Sequence, residues 1–481
     1  MKNRILVFSV ILVSVFCVLR LYPGGLNFGV ITATREKVKE VKEAKLEYLK
    51  KDRFPTVAIA DPLDGSIVSG TVNITVQADD DFAVTKVELR IDSALKGEAA
   101  SSPYSFLWNT VDYDERCDHK IVATAYDTSG QYASDEKTVL VKNANWNISV
   151  IDTVGDIEDN SSKDHSGICL DANDCPHVSY YDRTGQTLKY AKWTGAAWSI
   201  ETVDSGTETG WRTSIAVDAQ GYPHIAYHEH GSFDLKYAKW NGIAWDKALL
   251  DEIGSCGHWS SIAFDSSGNP HVSHLRYNPL PLVVRYGSNP GSGWTFEDVA
   301  VLEGEDYAPK TSLAVDSSGN PHIVFREKET ECILKYSRKT GSTWQTETLA
   351  SDGSVYYPSI AIDSSDNIHV SYYDDVTKKL KYAKRTGSVW TKETVSSTDY
   401  SGGYSSIDVD SNGYPCISCY NYSDKDLISV RWTGSAWLVE TVDSTGDVGR
   451  GTSVKVDSEE LIHISYYDAD NKQLKYAVLK K

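Results

Sequence analysis

The sequence predicts an all-β chain in which a seven-bladed β-propeller follows a β-sandwich. Two observations predict the propeller: a stretch whose clearest copy is Ser214–Tyr227 occurs seven times, and a tryptophan opens the last strand of each repeat. Anchored on one position, the copies are spaced by 47, 47, 51, 47, 47 and 47 residues, a period typical of four-stranded propeller blades. The anchor positions are His177, His224, His271, His322, His369, Cys416 and His463.

The tryptophans predict how the ring of blades, residues 144–481, closes. Trp146 precedes the first repeat, whereas no fourth strand follows Lys475–Leu479 at the end of the chain. We therefore expect the last blade to take its fourth strand from Trp146–Thr153, so that both ends of the propeller meet in one sheet. The seven tryptophans are Trp146, Trp198, Trp245, Trp294, Trp344, Trp390 and Trp437.

Residues 54–142 have the pattern of a sandwich of short strands. Alternating segments such as Val72–Ala78 and Lys120–Tyr126 are separated by turn clusters such as Pro62–Gly65. The pattern resembles the bacterial Ig-like domains of exported proteins, which implies a spacer or adhesion module without chemistry. Cys117 has no partner cysteine in this segment. The resemblance is carried by segments within Pro62–Gly70, Ala78–Val87, Pro103–Thr110 and Ala123–Gly130.

Residues 1–33 are predicted to be a signal peptide or an N-terminal membrane anchor. Lys2 and Arg4 precede the apolar run Ile5–Leu19, which is short for a membrane-spanning helix of about 20 residues. Both alternatives imply an extracellular or cell-surface protein that meets the membrane only through this segment. Residues 34–53 are rich in Lys and Glu with a thin apolar stripe, and they are predicted to form a charged helical stalk.

The composition limits the partners of the chain. Its 29 Tyr and 13 Trp suit strands and turns, and its formal net charge is −19. A nucleic-acid partner is excluded because phosphate binding needs a basic surface. An acidic surface suits Ca²⁺, whose ligands are oxygen atoms, but the sequence specifies no cofactor.

Export permits disulfides, and seven cysteines follow the leader. Cys169 and Cys175 flank the first hairpin turn of the propeller, where cross-strand neighbours come close. We therefore expect a disulfide between them.

The six anchor histidines are predicted to be structural. Each follows a turn aspartate that can accept a hydrogen bond from the imidazole, and tyrosines flank it. A metal or proton-relay ring is the alternative, but blade symmetry would keep the six histidines well apart. The turn aspartates are Asp171, Asp218, Asp265, Asp316, Asp363 and Asp457.

Departures from the repeat predict a ligand site. We label the strands of each blade a to d in chain order. Blades 1, 5 and 7 keep Ser-Tyr-Tyr-Asp after the anchor, whereas blades 2, 3 and 4 do not. Because the b–c and d–a loops lie on one face of an up-and-down blade, the altered residues are expected to share one mouth. The candidate ligand-binding residues are Trp211, His228, Glu229, His230, His258, Trp259, Arg276, Tyr307, Arg326 and Glu327.

Three interpretations of this mouth stay open. The first is carbohydrate binding, with Trp211, Trp259 and Tyr307 as aromatic platforms. The second is a polysaccharide-acting hydrolase or lyase, in which His228 and His230 hold a divalent metal and Glu229 and His258 act as acid and base. The third is a solvated loop surface without a ligand.

The repeats resemble those of exported bacterial and archaeal propeller proteins, and they are more loosely similar to seven-bladed propeller lectins. The motif that carries the first resemblance is Ser-Ile-Ala-Val-Asp-x-x-Gly-x-Pro-His-Ile-Ser-Tyr-Tyr-Asp. The fold hosts many functions, so function is an analogy here. We expect a surface protein that binds glycans or a cell-surface protein; an enzyme and a structural envelope component are the alternatives.

Overall fold

The computed structural model divides the chain into two units, residues 1–143 and 144–481. It describes residues 39–40, 43, 53–110, 113, 118–142, 145–155, 166–206, 208–302, 310–328, 332–351, 353–395 and 401–480. The predicted leader and most of the predicted stalk lie outside these ranges. Lys39, Glu40 and Glu43 are α-helical. Within the described ranges, no helix is both long and apolar enough to span a membrane.

The first unit contains two β-sheets. One has the order β1-β3-β6 and the other the order β2-β8-β7-β4-β5. Alternating side chains of both sheets, among them Ile74, Leu89 and Ile121, are fully buried in one core with Trp108, as a sandwich requires. The strands are β1 (Thr56–Asp61), β2 (Ile67–Val68), β3 (Thr71–Asp79), β4 (Val84–Ile91), β5 (Ala94–Ala99), β6 (Tyr104–Asn109), β7 (Asp118–Asp127) and β8 (Tyr132–Val141).

The described part of the second unit contains seven four-stranded sheets, which we number along the chain. Sheets 1 to 3 contain β10 (Gly167–Leu170), β11 (Pro176–Asp182), β12 (Thr187–Trp193), β13 (Trp198–Asp204); β14 (Thr209–Val217), β15 (Pro223–Glu229), β16 (Asp234–Trp240), β17 (Trp245–Asp251); and β18 (His258–Phe264), β19 (Pro270–Arg276), β20 (Val283–Ser288), β21 (Thr295–Val301). Sheets 4 and 5 contain β22 (Thr311–Val315), β23 (Pro321–Lys328), β24 (Cys332–Thr340), β25 (Thr343–Ala350); and β26 (Val355–Ile362), β27 (Ile368–Asp374), β28 (Lys379–Thr386), β29 (Val389–Thr394). Sheets 6 and 7 contain β30 (Ser401–Val409), β31 (Pro415–Asn421), β32 (Asp426–Trp432), β33 (Trp437–Asp443); and β34 (Val448–Val456), β35 (Ile462–Asp468), β36 (Gln473–Lys480), β9 (Asn145–Thr153).

The predicted closure of the ring is confirmed. Strand β9 pairs antiparallel with β36, with Trp146 opposite Leu479 and Ile148 opposite Ala477. The first strands of successive sheets contact one another in order, and β34 contacts β10. These a strands surround a central channel of about 610 Å³. The all-β propeller and sandwich predicted from the sequence are therefore present.

A repeated hydrogen bond joins neighbouring a strands. A serine Oγ of one sheet accepts a backbone N–H of the next. The donors and acceptors are Ile262 to Ser214 (3.2 Å), Leu313 to Ser261 (3.1 Å), Ile360 to Ser312 (3.3 Å), Ile407 to Ser359 (3.2 Å), Val454 to Ser406 (3.2 Å) and Ile168 to Ser453 (3.4 Å). The last bond connects sheet 7 to sheet 1. We call the six accepting residues, Ser214, Ser261, Ser312, Ser359, Ser406 and Ser453, the latch serines. Gly167 occupies the seventh position, where an added Cβ would lie 3.2 Å from the Ile215 nitrogen.

The anchor histidines connect the a–b turns to the strand c tyrosines. In sheet 5, His369 Nε2 lies 3.1 Å from Asp363 Oδ2, and its Nδ1 lies 2.7 Å from the Tyr382 hydroxyl. Burial lowers the pKa of His369, so the neutral ring donates to the carboxylate and accepts from the phenol. The Tyr382 ring in turn contacts Trp437 of the next sheet edge-on at 5.0 Å.

This Asp–His–Tyr arrangement recurs in sheets 1 to 5 and 7. In sheet 6, Cys416 replaces the histidine and Ser429 replaces the tyrosine. Sheet 6 therefore lacks the imidazole–phenol contact of the other six sheets. The histidines therefore serve packing between sheets.

The predicted disulfide is wrong: Cys169 and Cys175 are both free thiols. The register of the hairpin explains this. Cys169 lies opposite His177, and its side chain is buried in a core cluster with Leu188 and Ile215. Cys175 lies in the turn, beyond the last paired residues, Leu170 and Pro176. Its backbone oxygen accepts a hydrogen bond from the Asp171 N–H. The two cysteines are therefore not cross-strand partners.

We expect Ser359→Ala to lower the free energy of unfolding by about 1 kcal/mol, because the buried N–H of Ile407 loses its acceptor. Urea denaturation of the full chain measures this. Ser365→Ala, at an exposed position of the following turn, is the control and should match the wild type. Equal stability of all three proteins would show that the latch bond contributes nothing.

Candidate functional site

Equivalent residues of successive sheets lie near the start of strand a, and those of sheets 2, 3 and 4 line the central channel. Each lies two positions before a latch serine. Equivalence is shown by hydrogen bonds between sheets: Ser260 Oγ donates to the Arg212 carbonyl at 3.2 Å, and Thr311 Oγ1 donates to the Trp259 carbonyl at 2.7 Å. We call the described members lip residues; they are Arg212, Trp259, Lys310, Tyr357, Tyr404 and Gly451.

The backbone at the lip is left-handed. A bulge in strand a gives φ values of 51° at Arg212, 54° at Trp259, 53° at Tyr357, 54° at Tyr404 and 56° at Gly451. Glycine adopts this conformation without strain, whereas other residues incur a cost of about 1 kcal/mol each. Four large side chains therefore stand where the backbone favours glycine.

Sheets 2 and 3 place a basic and aromatic cluster at the lip. The Arg212 guanidinium contacts Nδ1 of His258 and lies over the Trp259 ring, 4.9 Å from its centroid. The His258 ring lies 4.2 Å from the His228 ring, and its Nε2 lies 2.8 Å from Ser255 Oγ. Arg212 lies in strand a of sheet 2, and His228 lies near the end of strand b of the same sheet. His258 and Trp259 are the first two residues of strand a in sheet 3.

Burial decides the charge of this cluster. It lowers the pKa of His228 to about 3 and, together with His228 and Arg212, moves the pKa of His258 far below its usual range. It lowers the pKa of Arg212 only to about 10. At neutral pH both imidazoles are therefore uncharged, and Arg212 carries the positive charge.

The two predicted tryptophan platforms are in the cluster, but they are not open. Trp211 stacks face to face on His230 with centroids 3.8 Å apart, and its exposed fraction is 5%. Trp259 is 6% exposed under Arg212. Both rings are covered by their neighbours, because the bulge turns them against the adjacent sheet. A binding role for Trp211 and Trp259 stays a prediction.

Other predicted site residues have separate partners. Glu229 forms an ion pair with Lys236 at 2.6 Å. Tyr307 lies outside the described residues. The remaining pairs are Arg276 with Asp298 at 4.0 Å, Arg326 over the Tyr356 ring at 4.1 Å, and Glu327 with Lys335 at 3.3 Å. The structure thus gathers Trp211, His228, His230, His258 and Trp259.

The proposed metal pair remains a prediction. The rings of His228 and His230 are 5.9 Å apart at their centroids, and His228 Nδ1 donates to the Cys256 carbonyl at 2.8 Å. In the part of the chain that the structure describes, potential metal ligands gather in threes only at Asp251, Cys256 and His274.

The Asp251 group is a charge network between sheets 2 and 3. The Asp251 carboxylate accepts from Arg285 and lies 3.1 Å from His274 Nε2. Between sheets 6 and 7, a tyrosine and a lysine stand in place of His274 and Arg285. There Tyr466 and Lys475 donate hydrogen bonds to the Asp443 carboxylate. Because a guanidinium already neutralises Asp251, this group does not resemble an open cation site.

Sheets 5 and 6 add a tyrosine cluster that the sequence reasoning missed. The rings of Tyr357 and Tyr404 lie 4.7 Å apart, and the Tyr422 hydroxyl donates to the Tyr357 hydroxyl at 3.2 Å. Burial raises the pKa of Tyr357 and Tyr422, so both phenols remain protonated donors. The lip is thus cationic and aromatic across sheets 2 to 6.

Charged side chains of both signs line the channel. Among the described residues they are Arg212, Lys310, Lys455 and Asp408, and the last two form an ion pair at 3.3 Å. Lys310 is partly exposed, and burial lowers its pKa to about 8.

The lip residues can be located in the sequence, because each of them lies two positions before a latch serine. The motif x-(Ser/Thr/Pro)-Ser precedes Ile-Ala or a similar pair in six of the seven repeats, and its first position varies there among Arg, Trp, Lys, Tyr and Gly. The sequence reasoning listed Trp259 but omitted Arg212, Lys310, Tyr357 and Tyr404. It compared the b–c and d–a loops of blades 2 to 4 only, and so it did not align the equivalent position of strand a across all the repeats.

Comparison with known proteins supports the fold. Residues 55–139 match the family model of the bacterial Ig domain, which confirms the predicted Ig-like unit. No curated protein sequence matches the chain.

Solved structures resemble the chain only weakly. AofleA from Arthrobotrys oligospora is 13% identical, with a TM-score of 0.42 over 67% of this chain and 92% of its own. The Aleuria aurantia lectin with α-methyl-L-fucoside is 15% identical, with a TM-score of 0.44 over 60% and 98%. A Dyadobacter fermentans protein of unknown function is 12% identical, with a TM-score of 0.40 over 69% and 99%. Likenesses this weak carry no information about the ligand of this chain.

We expect Asp251→Asn to lower the free energy of unfolding by about 3 kcal/mol near pH 7, because Arg285 and His274 lose a buried carboxylate. Despite burial, the bond from His274 holds the pKa of Asp251 below its usual value. Its contribution is therefore full above about pH 4 and is lost as the pH falls further. Urea titrations at several pH values measure the difference from the wild type.

Asp246→Asn, at an exposed position of the same strand β17, is the matched control. A loss of stability that is equal for both variants, or that does not shrink in acid, would contradict the charge network.

Proposed function

We propose that the propeller unit binds a glycan at the lip of its central channel. One observation carries this proposal: Arg212, Trp259, Tyr357 and Tyr404 occupy left-handed backbone positions where glycine would cost less. Backbone strain of this kind persists where the side chain has a use. A purely structural ring would accept glycine at every lip position, as sheet 7 does at Gly451.

The size and chemistry of the channel suit a saccharide. Its volume of about 610 Å³ lies within the range of about 300–1,000 Å³ that small-molecule sites occupy. The lip offers protonated phenols and a guanidinium as donors to sugar oxygens, and the partly exposed ring of Tyr357 offers an apolar surface to sugar C–H groups.

The remaining domains fit a displayed receptor. We propose that the chain is exported, with residues 1–33 as its signal peptide or anchor. The Ig-like unit would act as a spacer between that segment and the propeller. The described residues of the Ig-like unit contain one buried core and no cluster of potential metal ligands, so chemistry is expected only in the propeller.

A second candidate is an enzyme that acts on polysaccharides. The observation that favours it is the pair of uncharged imidazoles, His228 and His258, whose rings lie 4.2 Å apart beside Arg212. Neutral imidazole is a proton acceptor, and a neighbouring guanidinium stabilises developing negative charge. His228 is fully buried, however, so binding is the better supported function.

We expect Tyr357→Gly to weaken glycan binding about tenfold, a loss of about 1.4 kcal/mol. The variant should stay folded because glycine suits a φ of 53°. A glycan array of the full chain identifies a binder, and calorimetric titration compares the variants with it. Tyr414→Ala, on the a–b turn at the other end of strand a, is the control and should bind like the wild type. A chain that binds no glycan would refute the proposed function.

A further inference from the structure

We propose that the glycan enters the channel by its free end and that Asp408 and Lys455 bind two neighbouring hydroxyl groups of its last sugar. This inference rests on the proposed function and specifies which group of the glycan is recognised. The two residues belong to a second layer of the channel wall, which lies beyond the lip.

The second layer is a ring of residues that all line the channel. Each lies two positions after a latch serine or, in sheet 1, after Gly167, and we call them the inner ring. Sheet 1 has Cys169 in this ring, whereas sheets 6 and 7 have Asp408 and Lys455. Sheets 2 to 5 all have alanine, at Ala216, Ala263, Ala314 and Ala361. The repeat symmetry is therefore broken at this layer by one adjacent pair of opposite charges.

The two charged residues form an ion pair that the channel leaves partly exposed. Lys455 Nζ lies 3.3 Å from Asp408 Oδ1, and Asp408 Oδ2 accepts the Val456 N–H at 2.9 Å. The side chains of Lys455 and Asp408 are 39% and 17% exposed. The inner strands of sheets 2 to 5 meet with alanine at this layer, so the fold itself does not require a charged pair there.

The pair presents a hydrogen-bond donor and an acceptor side by side. An ammonium group has three N–H donors, and a carboxylate has about four acceptor sites. Among the described residues, the contacts of the pair use one donor of Lys455 and two acceptor sites of Asp408. Groups of both kinds therefore remain for a ligand in the channel.

Neighbouring hydroxyls of a sugar match this arrangement. A hydroxyl both donates and accepts hydrogen bonds, and two gauche hydroxyls on adjacent carbons are separated by about the length of a hydrogen bond. One of them can accept from Lys455 while the other donates to Asp408. Hydrogen bonds to ionised groups are about twice as strong as bonds between neutral groups, so the pair favours a sugar whose adjacent hydroxyls are unsubstituted.

The depth of the pair indicates that the terminal sugar is recognised. Each inner-ring residue lies four positions after the lip residue of its strand, as Asp408 follows Tyr404 and Lys455 follows Gly451. Four residues of a strand span at most about 13 Å. One cavity of about 610 Å³ is lined by the inner ring and by the lip residues of sheets 2 to 4. A glycan that enters from the lip therefore reaches the pair with its free end.

The test applies the full chain in a dilution series to two copies of one glycan array. One copy is untreated. The other is oxidised with periodate, which cleaves the carbon–carbon bond between adjacent hydroxyls, and is then reduced with borohydride. The main variant is Asp408→Ala/Lys455→Ala, which should fold because it gives sheets 6 and 7 the residue that sheets 2 to 5 already have.

Lys247→Met is the matched control. It removes another ion pair between neighbouring sheets, in which Lys247 Nζ lies 3.1 Å from Asp204 Oδ1. Lys247 lies on the outer strand β17 of sheet 2, and neither residue of this pair lines the channel. The control therefore separates the loss of an ion pair between sheets from the loss of the pair in the channel.

We expect the wild type to bind glycans of the untreated array and to bind the oxidised copy about tenfold more weakly. The double alanine variant should lose about as much affinity on the untreated array, with a thermal midpoint close to that of the wild type. Lys247→Met should bind both copies as the wild type does.

Two outcomes would overturn the inference while leaving the glycan-binding function intact. One is binding that periodate oxidation leaves unchanged. The other is a double alanine variant that binds like the wild type; if it also melted at a lower temperature, the pair would serve only to join sheets 6 and 7. A chain that binds no glycan of the untreated array would instead refute the proposed function.

Discussion

The propeller depends on one interaction that is repeated around its axis, the bond from a backbone N–H of one a strand to a latch serine of the next. A strand at the inner edge of a sheet has unpaired backbone groups, and burying them unsatisfied would cost free energy. The serines satisfy these groups at six of the seven junctions. Gly167 occupies the seventh junction, where the backbones of sheets 1 and 2 approach so closely that an added Cβ would crowd the Ile215 nitrogen.

This constraint also explains why the lip can vary. The latch serine and the residues after it are fixed by bonds between sheets, and the Asp–His–Tyr contact fixes the turn at the opposite end of strand a. Two positions before the serine, a bulge interrupts the ladder in sheets 2, 3, 5, 6 and 7, and the side chain there contacts different partners in different sheets. Variation among Arg, Trp, Lys, Tyr and Gly is therefore compatible with one backbone, so one face of a nearly symmetric scaffold can carry an asymmetric site.

Electrostatics distinguishes the lip from the rest of the surface. Carboxylates dominate the chain, and at the a–b turns they are bound to histidines and backbone N–H groups, as Asp363 shows. At the lip, by contrast, burial keeps His228 and His258 neutral and leaves Arg212 and Lys310 charged.

The sequence by itself determined the repeats, the four-stranded sheets, the exchange of Trp146–Thr153 into the last sheet and the Ig-like sandwich. These features follow from period and alternation, which are local properties of the chain. Only the tertiary structure decided that Cys169 faces His177 rather than Cys175, that Trp211 and Trp259 are covered, and that His274 meets Asp251. Each of these depends on a register or a bulge that sets contacts between different strands or sheets. A bulge of one residue reverses the direction of a side chain, and the repeat pattern alone does not reveal where it lies.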